Sequence, residues 1–273
     1  SCRSCGTVMQ CPHCDVSLTY HRDGKLRCHY CGYEEVMPEA CPECGSPFIG
    51  TFGLGTQKAE AAIRKEFPEA RVLRMDMDTT KRKHSHEEIL KTFSEGRADI
   101  LVGTQMIVKG HDFENVTLVG ILAADLSLHA NDFRAAERTF QLLTQAAGRA
   151  GRGEKAGEVV IQTYSPEHYC IVTAAAQDYE EFYRQEIAYR TMLCYPPVWQ
   201  MLTVLLAGPS EEECKQTAQR MARVIQNSGI RVIGPGEASL AKVNDIYRQV
   251  LYVKEKDYKE LVKVKDRLEL WID

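Results

Sequence analysis

The sequence predicts an α/β protein that begins with a cysteine-rich module and ends with a second α/β domain. Eight cysteines fall within the first 44 residues, all of them in Cys-x-x-Cys pairs. Apolar strand patterns then alternate with helix patterns over residues 51–165, which is typical of a parallel sheet covered by helices. The 273 residues, 44% of them hydrophobic and 26% charged, are enough for a sizeable core and more than one domain.

The first 50 residues are predicted to bind two structural zinc ions. A Cys-x-x-Cys pair forms a tight turn that presents two thiolates on one side, and two such pairs complete a tetrahedral site. Glycine follows the second cysteine in three pairs, where it permits a left-handed backbone. Neither a redox dithiol nor an iron–sulfur centre explains four matched turns. The predicted metal ligands are Cys2, Cys5, Cys11, Cys14, Cys28, Cys31, Cys41 and Cys44.

The spacers between the pairs favour a nested arrangement. Thirteen residues separate Cys14 from Cys28, close to the spacing of a zinc ribbon, so a hairpin joins the second pair to the third. The first and fourth pairs then share the other ion, which brings the ends of the module together. Sequential and crossed pairing remain open at this point.

Composition gives no global signal for nucleic-acid binding. The formal net charge is −4 at pH 7, and eight thiolates with two zinc ions would make it about −8. Any nucleic-acid contact would depend on local patches, such as the aromatic and basic side chains mixed between residues 20 and 33. A solvated hairpin explains that mixture equally well. With no apolar run of about 18 residues and no signal peptide, we expect an intracellular protein without membrane contact.

Residues 51–165 are predicted to form the first α/β lobe. Residues 53–56 are interpreted as a turn and N-cap that open a helix over 57–67. The other predicted elements are helices over 87–93 and 134–145 and strands over 71–75, 99–103, 116–122 and 158–163. The apolar runs at 99–103 and 116–122 are typical of buried parallel strands. Functional loops of such sheets lie beyond the carboxyl ends of the strands, and we expect two polar stretches there.

The first polar stretch, residues 103–113, directly follows a predicted strand. Its Thr104, Gln105 and Lys109 side chains can donate hydrogen bonds to phosphates, and Asp112 can accept one from a ribose hydroxyl. A lone loop of this kind is explained equally well as a structural connection.

The second polar stretch, residues 145–152, carries two arginines among small residues. Arg149 and Arg152 keep their charge at any cellular pH and offer planar forks of donors that fit phosphate oxygens. An arginine pair presented in this way can brace a polyphosphate while it is cleaved. Taken alone, the stretch is explained equally well as a capped helix end with solvated arginines.

Residues 166–273 are predicted to form a C-terminal α/β domain that opens with a long helical segment over 169–193. Gly234, Pro235 and Gly236 are interpreted as a turn. The other predicted elements are strands over 201–206, 231–233 and 247–254 and helices over 211–226 and 256–270. The three remaining cysteines, Cys170, Cys194 and Cys214, are interpreted as ordinary core or surface thiols.

The two polar stretches acquire a specific meaning when they are taken together. Gly103-Thr-Gln-Met-x-x-Lys-Gly-His-Asp-Phe113 resembles motif V of superfamily 2 helicases, and Gln145-x-x-Gly-Arg-x-Gly-Arg152 resembles motif VI. The cysteines, Gly53-x-Gly-Thr56, Asp76-x-Asp-Thr-Thr80 and residues 132–143 extend the resemblance to the bacterial replication-restart DNA helicases, from Cys2 to about Tyr195. The resemblance implies a RecA-like second helicase lobe with an inserted two-zinc ribbon module.

The resemblance also implies a role for each matching residue. Two arginines would be catalytic at the γ-phosphate of ATP, three residues would bind the nucleotide, and three would contact DNA. Arg149 and Arg152 would be the catalytic residues. Gln145, Gly110 and Asp112 would bind the nucleotide, and Thr104, Gln105 and Lys109 would contact DNA.

The implied function is the C-terminal part of an ATP-dependent 3′-to-5′ DNA helicase that recognises stalled or abandoned replication forks and initiates primosome assembly. Its cofactors would be zinc, ATP and Mg²⁺, and its partners forked DNA, single-stranded DNA-binding protein and other primosome proteins. It would act in the bacterial cytoplasm, at forks in the nucleoid. The 273 residues contain no Gly-x-x-x-x-Gly-Lys-[Ser/Thr] loop and no Walker B Asp-Glu box. We therefore expect this chain alone not to hydrolyse ATP, its phosphate cradle lying on a preceding lobe.

Two other classes of function compete with this one. A non-catalytic zinc-ribbon module that binds DNA or protein would leave the pairing of the two motif-like loops to chance. A zinc-dependent hydrolase is disfavoured because four thiolates leave no open position on the metal. The family match is thinner in the C-terminal domain, where Gly234-Pro235 and Tyr247-Arg248 fit but the basic stretch between them is reduced. Partner contacts in that domain therefore stay unassigned.

Overall fold

The cysteine-rich module and the C-terminal domain fold together, although the α/β lobe lies between them in the sequence. The computed structural model describes residues 1–21, 23–50, 55–76, 79–80, 85–108, 113–151 and 155–270. One compact unit consists of Ser1–Phe52 with Tyr189–Asp273, and the other is Gly53–Ala188. The predicted domains 1–50, 51–165 and 166–273 remain predictions, because a division into compact units does not test evolutionary domain boundaries.

The cysteine-rich module is built on a small antiparallel sheet. Its strands β1 (Thr19–Tyr20), β2 (Lys25–Arg27) and β3 (Glu34–Val36) lie in the order β1-β2-β3. The two ends of the module meet, because the amino group of Ser1 donates to the carbonyl oxygen of Gly50 at 2.8 Å. This closure agrees with the nested arrangement that the spacers favoured.

The α/β lobe contains two separate pairs of parallel strands. Strand β4 (Val72–Met75) pairs with β5 (Ile100–Gly103), and β6 (Leu118–Ile121) pairs with β7 (Glu158–Ile161). Among the described residues no strand joins the two pairs into the single sheet that the alternating pattern suggested. The interpretation of 116–122 as a strand buried on both faces is wrong, because Leu118 is 60% exposed.

Helices and a 3₁₀ turn connect and cover these strands. The elements are α1 (Thr56–Glu66), α2 (Ser85–Ser94), a 3₁₀ turn (Gln105–Val108), α3 (Asp125–Leu128) and α4 (Ala135–Ala147). Thr56 was predicted to cap the first helix, but it is the first helical residue and Gly55 occupies the N-cap. Beneath β4 and β5, Phe113 packs edge-on against Phe93, with ring centroids 5.0 Å apart, in a core with Met75.

The long helical segment predicted over 169–193 is in fact two helices, α5 (Tyr169–Ala175) and α6 (Tyr179–Leu193). Gln177 separates them with a left-handed backbone, φ 53°. Asp178 then accepts a hydrogen bond on its side chain from the backbone N–H of Glu181 at 2.9 Å. An aspartate three residues before a glutamate is a helix-start signal, so this boundary could have been predicted from the sequence.

The C-terminal domain is an antiparallel sheet with two helices packed on it. Strands β8 (Gln200–Gly208), β9 (Arg231–Val243) and β10 (Ile246–Glu255) lie in the order β8-β10-β9. Helices α7 (Glu211–Gln226) and α8 (Tyr258–Glu269) share one apolar core with the central strand, in which Leu251 and Val253 are completely buried. No helix within the described residues is long and apolar enough to cross a membrane.

The turn predicted at Gly234–Gly236 is wrong, because β9 continues through this segment. The pairing of β9 with β10 shifts register there, between Val250 and Tyr252. Gly234 has φ 98°, and a Cβ on it would lie 2.8 Å from the carbonyl oxygen of Val250. Glycine is therefore needed for an irregularity inside a strand, which a Gly-Pro-Gly sequence does not distinguish from a true turn.

Candidate metal centres and candidate phosphate-binding loops

The eight paired cysteines gather into two clusters of four. The ligand sulfurs of each cluster lie within 4.8 Å of one another, and the clusters are Cys2, Cys5, Cys41 and Cys44 (the outer centre) and Cys11, Cys14, Cys28 and Cys31 (the inner centre). Their composition confirms the nested pairing. Sequential and crossed pairing are thereby excluded.

The sulfur geometry of both centres suits a tetrahedral zinc ion. The Sγ atoms of Cys2 and Cys44 are 3.6 Å apart, and those of Cys11 and Cys31 are 3.5 Å apart. Zn–S bonds of about 2.3 Å place tetrahedral sulfurs about 3.8 Å apart, whereas a disulfide requires about 2.05 Å. Bound zinc would hold two turns together in each centre as a structural ion, since four thiolates close its coordination sphere.

The outer centre shows how a turn prepares its thiolates. Gly6 follows the pair with φ 80°, as predicted, and its N–H donates to the carbonyl oxygen of Cys2 at 3.1 Å. This backbone directs amide groups towards the sulfur, including the N–H of Ser4 at 3.4 Å. The backbone N–H of Cys5 is the largest contribution that lowers the pKa of the Cys2 thiol, to about 6.

The inner centre is more deeply enclosed. Cys11, Cys14 and Cys28 are buried together with apolar side chains such as Leu18 and Leu26. Burial raises the pKa of the Cys11 thiol to about 12. Because metal ligands bind as thiolates, a divalent cation supplies the charge that this apolar surrounding lacks.

The first polar stretch begins at the carboxyl end of β5, as predicted. A Cβ on Gly103 would lie 2.4 Å from the carbonyl oxygen of Met75, so a glycine allows β4 and β5 to approach closely there. Thr104 and Gln105 follow as exposed residues, and the carbonyl oxygen of Thr104 accepts the N–H of Ile107 at 3.1 Å. The predicted site residues Lys109, Gly110 and Asp112 lie outside the described residues.

The second polar stretch forms a tight turn at the end of α4. Gly148 ends the helix by donating its N–H to the carbonyl oxygen of Thr144 at 2.9 Å. Arg149 is half-buried, and Gln145 on the last helical turn is exposed. Arg152 lies outside the described residues. We call residues 148–151 the arginine turn.

Two glycines fix the arginine turn against the loop that precedes β7. Gly151 has φ 72°, and a Cβ on it would lie 2.6 Å from the backbone nitrogen of Gly157. A Cβ on Gly157 would lie 2.2 Å from the backbone nitrogen of Gly151. Two backbone segments can approach this closely only where both residues lack side chains. Gly157 was missed by the sequence analysis, because nothing in its neighbourhood marks it as the partner of Gly151.

The arginine turn does not lie beyond the carboxyl end of a strand, which corrects the prediction for the second stretch. The N–H of Gly151 donates to the carbonyl oxygen of Val116 at 2.9 Å, at the amino end of β6. The position follows from topology, since a helix between two parallel strands returns the chain to the amino end of the sheet. The first stretch ends at Phe113, shortly before Val116, so this hydrogen bond fixes the arginine turn to the segment that follows the motif V-like loop.

Asp76, in one of the sequence signatures, occupies a structural network. It is 8% exposed, and its carboxylate accepts the Thr56 hydroxyl at 2.5 Å and the backbone N–H of Thr79 at 3.0 Å. Arg74 forms an ion pair with the same carboxylate at 3.0 Å. The network ties the start of α1 to the end of β4, which explains why both Thr56 and Asp76 belong to the signature.

Asp125 has an equivalent role in the second strand pair, and the sequence analysis missed it. Its carboxylate accepts the backbone N–H of Tyr164 at 2.9 Å and the Thr163 hydroxyl at 2.7 Å, and these bonds lower its pKa. Asp125 follows β6 and its partners follow β7, so the network joins the carboxyl ends of both strands. An aspartate soon after an apolar run was the available signal in the sequence.

Parallel strand pairs, the two motif-like stretches and two four-cysteine centres are the features of a helicase C-terminal domain with a cysteine-rich zinc ribbon, and the family models agree. Three family models match the chain in order along the sequence. They are the PriA DNA helicase Cys-rich region domain over residues 11–35, the helicase conserved C-terminal domain over 51–154, and the primosomal protein N C-terminal domain over 191–271.

Curated proteins named replication restart protein PriA match nearly the whole chain. The one from Bacillus subtilis is 52% identical over 264 residues, which cover 95% of this chain and 33% of the relative. The one from Synechocystis is 46% identical, covering 97% of this chain and 32% of the relative, and that from Haemophilus influenzae is 40% identical, covering 93% and 35%. Over the residues it spans, the chain is a homologue of these PriA proteins. It spans about a third of the length of these relatives.

Proposed function

We propose that this chain forms the zinc module, second helicase lobe and C-terminal domain of an ATP-dependent 3′-to-5′ DNA helicase that initiates primosome assembly at stalled or abandoned replication forks. The matching helicase family models support the helicase, and the name replication restart protein borne by the relatives supports the process. The proposed partners are forked DNA, single-stranded DNA-binding protein and other primosome proteins. The proposed place of action is the bacterial cytoplasm, at the nucleoid.

One observation carries the catalytic part of this proposal: the arginine turn is anchored on both sides by backbone contacts. Gly151 donates to Val116 on one side and touches Gly157 on the other. A solvated helix end needs no such anchoring, whereas a catalytic group displaced by about 1 Å costs about 10²-fold in rate. The anchoring therefore favours a phosphate contact over the alternative of a capped helix end.

In the proposed mechanism, ATP and Mg²⁺ lie between this lobe and a preceding lobe that carries the phosphate-binding loop. Arg149 and Arg152 donate to the γ-phosphate and stabilise the charge that develops on it. Gly110 and Asp112 of the first stretch hold the nucleotide in position. The side-chain amide of Gln145, in the second stretch, helps them to do so.

The first polar stretch offers a route by which ATP hydrolysis acts on DNA. Its beginning would contact the DNA backbone through Thr104, Gln105 and Lys109. Its end leads to Val116, which is bonded to the arginine turn. The arginine turn is thereby bonded to the chain segment that follows the proposed DNA contacts, and the proposal is that movement of the arginines on hydrolysis reaches DNA through this segment.

The proposal is tested with Arg152→Ala in the full-length protein. We expect kcat for DNA-stimulated ATP hydrolysis to fall by about 10³-fold, with DNA affinity unchanged. Arg97→Ala is the matched control, since Arg97 lies outside the signature segments and is 57% exposed in an ion pair with Glu95 at 2.6 Å. Equal losses in both variants, or a loss confined to DNA binding, would contradict the assignment.

A second measurement separates the helicase from a non-catalytic interaction module. The 273-residue chain alone should hydrolyse ATP no faster than buffer, while the full-length protein should do so in the presence of DNA. If the full-length protein has no DNA-stimulated activity, the interaction module is the better description. Turnover by the isolated chain would show that its nucleotide site is complete without another lobe.

A further inference from the structure

The turn between β9 and β10 lies against the inner zinc centre, within the same compact unit. We infer that this turn is part of the inner centre, so that zinc bound there fastens the zinc module to the C-terminal domain. We call residues 241–245 the docking turn and residues 11–15 the inner knuckle. The inference uses only the zinc ribbon and the contacts of described residues, and it is independent of the proposed ATP chemistry.

The docking turn donates a hydrogen bond directly to a metal ligand. The backbone N–H of Asn244 lies 3.2 Å from the Sγ atom of Cys14, 230 positions away in the sequence. A hydrogen bond to a thiolate is charge-assisted and stronger than one to a neutral thiol. Such outer contacts orient metal ligands, and their loss typically costs about 10–100-fold in metal affinity.

The backbone of the docking turn is shaped for this contact. Asn244 and Asp245 both have left-handed conformations, with φ of 53° and 58°. Two such residues form a type I′ hairpin turn, and asparagine and aspartate tolerate it better than most residues. The N–H of Asp245 is consequently available to the inner knuckle, where it donates to the carbonyl oxygen of His13 at 2.9 Å.

Side chains and backbone complete the contact in both directions. The Lys242 ammonium donates to the carbonyl oxygen of Pro12 at 2.8 Å, and the N–H of Asp15 donates to the carbonyl oxygen of Lys242 at 2.8 Å. The Asp245 carboxylate lies 2.7 Å from Nδ1 of His13. Val243 adds an apolar contact with the cluster that surrounds the inner cysteines. Four consecutive residues of the inner knuckle, 12–15, are thus bonded to the C-terminal domain.

The outer centre has no equivalent contact among the described residues. The described hydrogen bonds to its sulfurs come from within the module, from Ser4, from Thr7 and between the cysteines themselves. The asymmetry assigns different roles to the two ions. Zinc in the outer centre closes the ends of the module, and zinc in the inner centre holds the knuckle in the shape to which the docking turn binds.

The first test removes the two side-chain contacts that hold the docking turn against the inner knuckle, from Lys242 to Pro12 and from Asp245 to His13, so that the Asn244 N–H is no longer held at Cys14. In Lys242→Ala/Asp245→Gly, glycine retains access to the left-handed region. We expect the cysteines of the inner centre in the zinc-loaded chain to be alkylated at least about tenfold faster, with no change at the outer centre. Mass spectrometry resolves each cysteine, so the outer centre is a control within the same molecule.

A matched variant controls for removing a lysine and an aspartate. Lys265→Ala/Asp266→Ala removes an exposed pair, 3.5 Å apart, from α8 of the same domain, and should alter neither centre. The inference is overturned if the docking-turn variant leaves the inner cysteines as protected as before, or if both centres lose protection equally.

The second test examines the reverse direction, from metal to docking turn. We expect Cys28→Ser/Cys31→Ser to raise amide hydrogen exchange over residues 241–246 by at least about tenfold, while exchange in β8 stays unchanged. Cys41→Ser/Cys44→Ser removes two outer ligands and should leave exchange over 241–246 as it was. Equal increases from both variants, or none from either, would overturn the inference. If an inner-centre variant also opens β8, the alkylation rates of the docking-turn variant decide the question.

Discussion

Loops are held in place in both compact units, but by different chemistry. In the first unit, the cysteine turns are held by two four-sulfur centres and by hydrogen bonds from a strand turn 230 positions away. In the second unit, the arginine turn is held by an apolar helix and by contact between Gly151 and Gly157. The first arrangement depends on an ion and on the protonation of its ligands. The second depends on backbone contacts and on the absence of two side chains, and it involves no ion.

This difference means that the two units should fail under different conditions. Chelation or acid removes zinc from thiolates without touching a backbone contact. A single added methyl group disrupts the glycine contact without touching the metal. The following predictions test this separation, from the largest expected effect to the smallest.

Removal of zinc is expected to have the largest effect, and only in the first unit. Structural zinc in small ribbons contributes an apparent free energy of about 10–16 kcal/mol at neutral pH. A strong chelator should therefore unfold the cysteine module, while backbone NMR signals of α1, α2 and α4 persist. Elemental analysis of the untreated chain should find two zinc ions. Iron or no metal would contradict the metal assignment, and simultaneous loss of the helix signals would contradict the separation.

Gly157→Ala should have the largest effect of any single substitution in the second unit. The added Cβ would meet the Gly151 nitrogen at 2.2 Å and the Ala150 carbonyl carbon at 2.4 Å, and backbone atoms cannot move aside locally. We expect the free energy of unfolding to fall by about 1–3 kcal/mol, with zinc content unchanged. Gly120→Ala is the control, because a Cβ there meets nothing within 4 Å. Equal unfolding free energies for the two variants would show that the glycine contact is unimportant.

Lys254→Met tests whether the first unit is also stabilised by a buried hydrogen bond that does not depend on metal. Lys254 is 2% exposed, its ammonium donates to the carbonyl oxygen of Leu193 at 2.9 Å, and it lies 3.4 Å from the centroid of the Tyr195 ring. Methionine keeps most of the volume but leaves that carbonyl without its donor. We expect a loss of about 1–2 kcal/mol in unfolding free energy.

Burial of the Lys254 charge in the parent protein has the opposite effect on stability, and it lowers the pKa of Lys254. The methionine variant removes this cost. If the methionine variant is more stable than the parent, desolvation outweighs the hydrogen bond. Lys256→Met is the matched control, since Lys256 also lies over an aromatic ring, Trp199 at 5.4 Å, but is exposed. It should leave the unfolding free energy unchanged.

The smallest expected effect is the pH dependence of an exposed ion pair in the second unit. Hydrogen bonds from the Arg71 side chain lower the pKa of Asp99 to about 2. Because the folded pKa is below that of an unfolded aspartate, about 3.9, the stabilisation is complete above about pH 4. It is lost as the pH falls towards 2.

Carboxyl NMR titration measures this pKa directly. Arg71→Ala should raise the Asp99 pKa towards its ordinary value while the backbone N–H of residue 71 still donates to it, whereas Arg97→Ala should not change it, since Arg97 pairs with Glu95 at 2.6 Å. At about pH 4 the thiolates should already have released zinc while the Asp99 pair is intact. If the second unit unfolds together with zinc release, the expectation that the two units fail under different conditions is contradicted.

Local chemistry made part of this molecule predictable. The zinc centres and their nesting follow from turn geometry and from a 13-residue spacer, because cysteine pairs carry their coordination chemistry with them. Most strands and helices follow from apolar periodicity. The two motif-like stretches were recognised because their residue types suit phosphate. The break at Gln177 was equally local, and the Asp178 cap signal was overlooked.

Other features were decided only by the tertiary structure. The arrangement of four strands as two separate pairs depends on which edges meet, and the apolar runs at 99–103 and 116–122 do not contain that information. The strand irregularity at Gly234 depends on the carbonyl of Val250, which is distant in sequence. The position of the arginine turn at the amino end of β6 depends on the direction in which α4 returns the chain.

The sequence by itself determined the metal, its ligands, the order of elements and the residues suited to phosphate, because each follows from residues close together in the chain. Only the tertiary structure decided that Asn244 bonds to Cys14, that Gly151 meets Gly157, and that the arginine turn bonds to Val116. These contacts join a backbone group to another segment's sulfur or backbone. A backbone N–H is chemically the same at almost every position, so the residue type does not indicate which group that N–H bonds to.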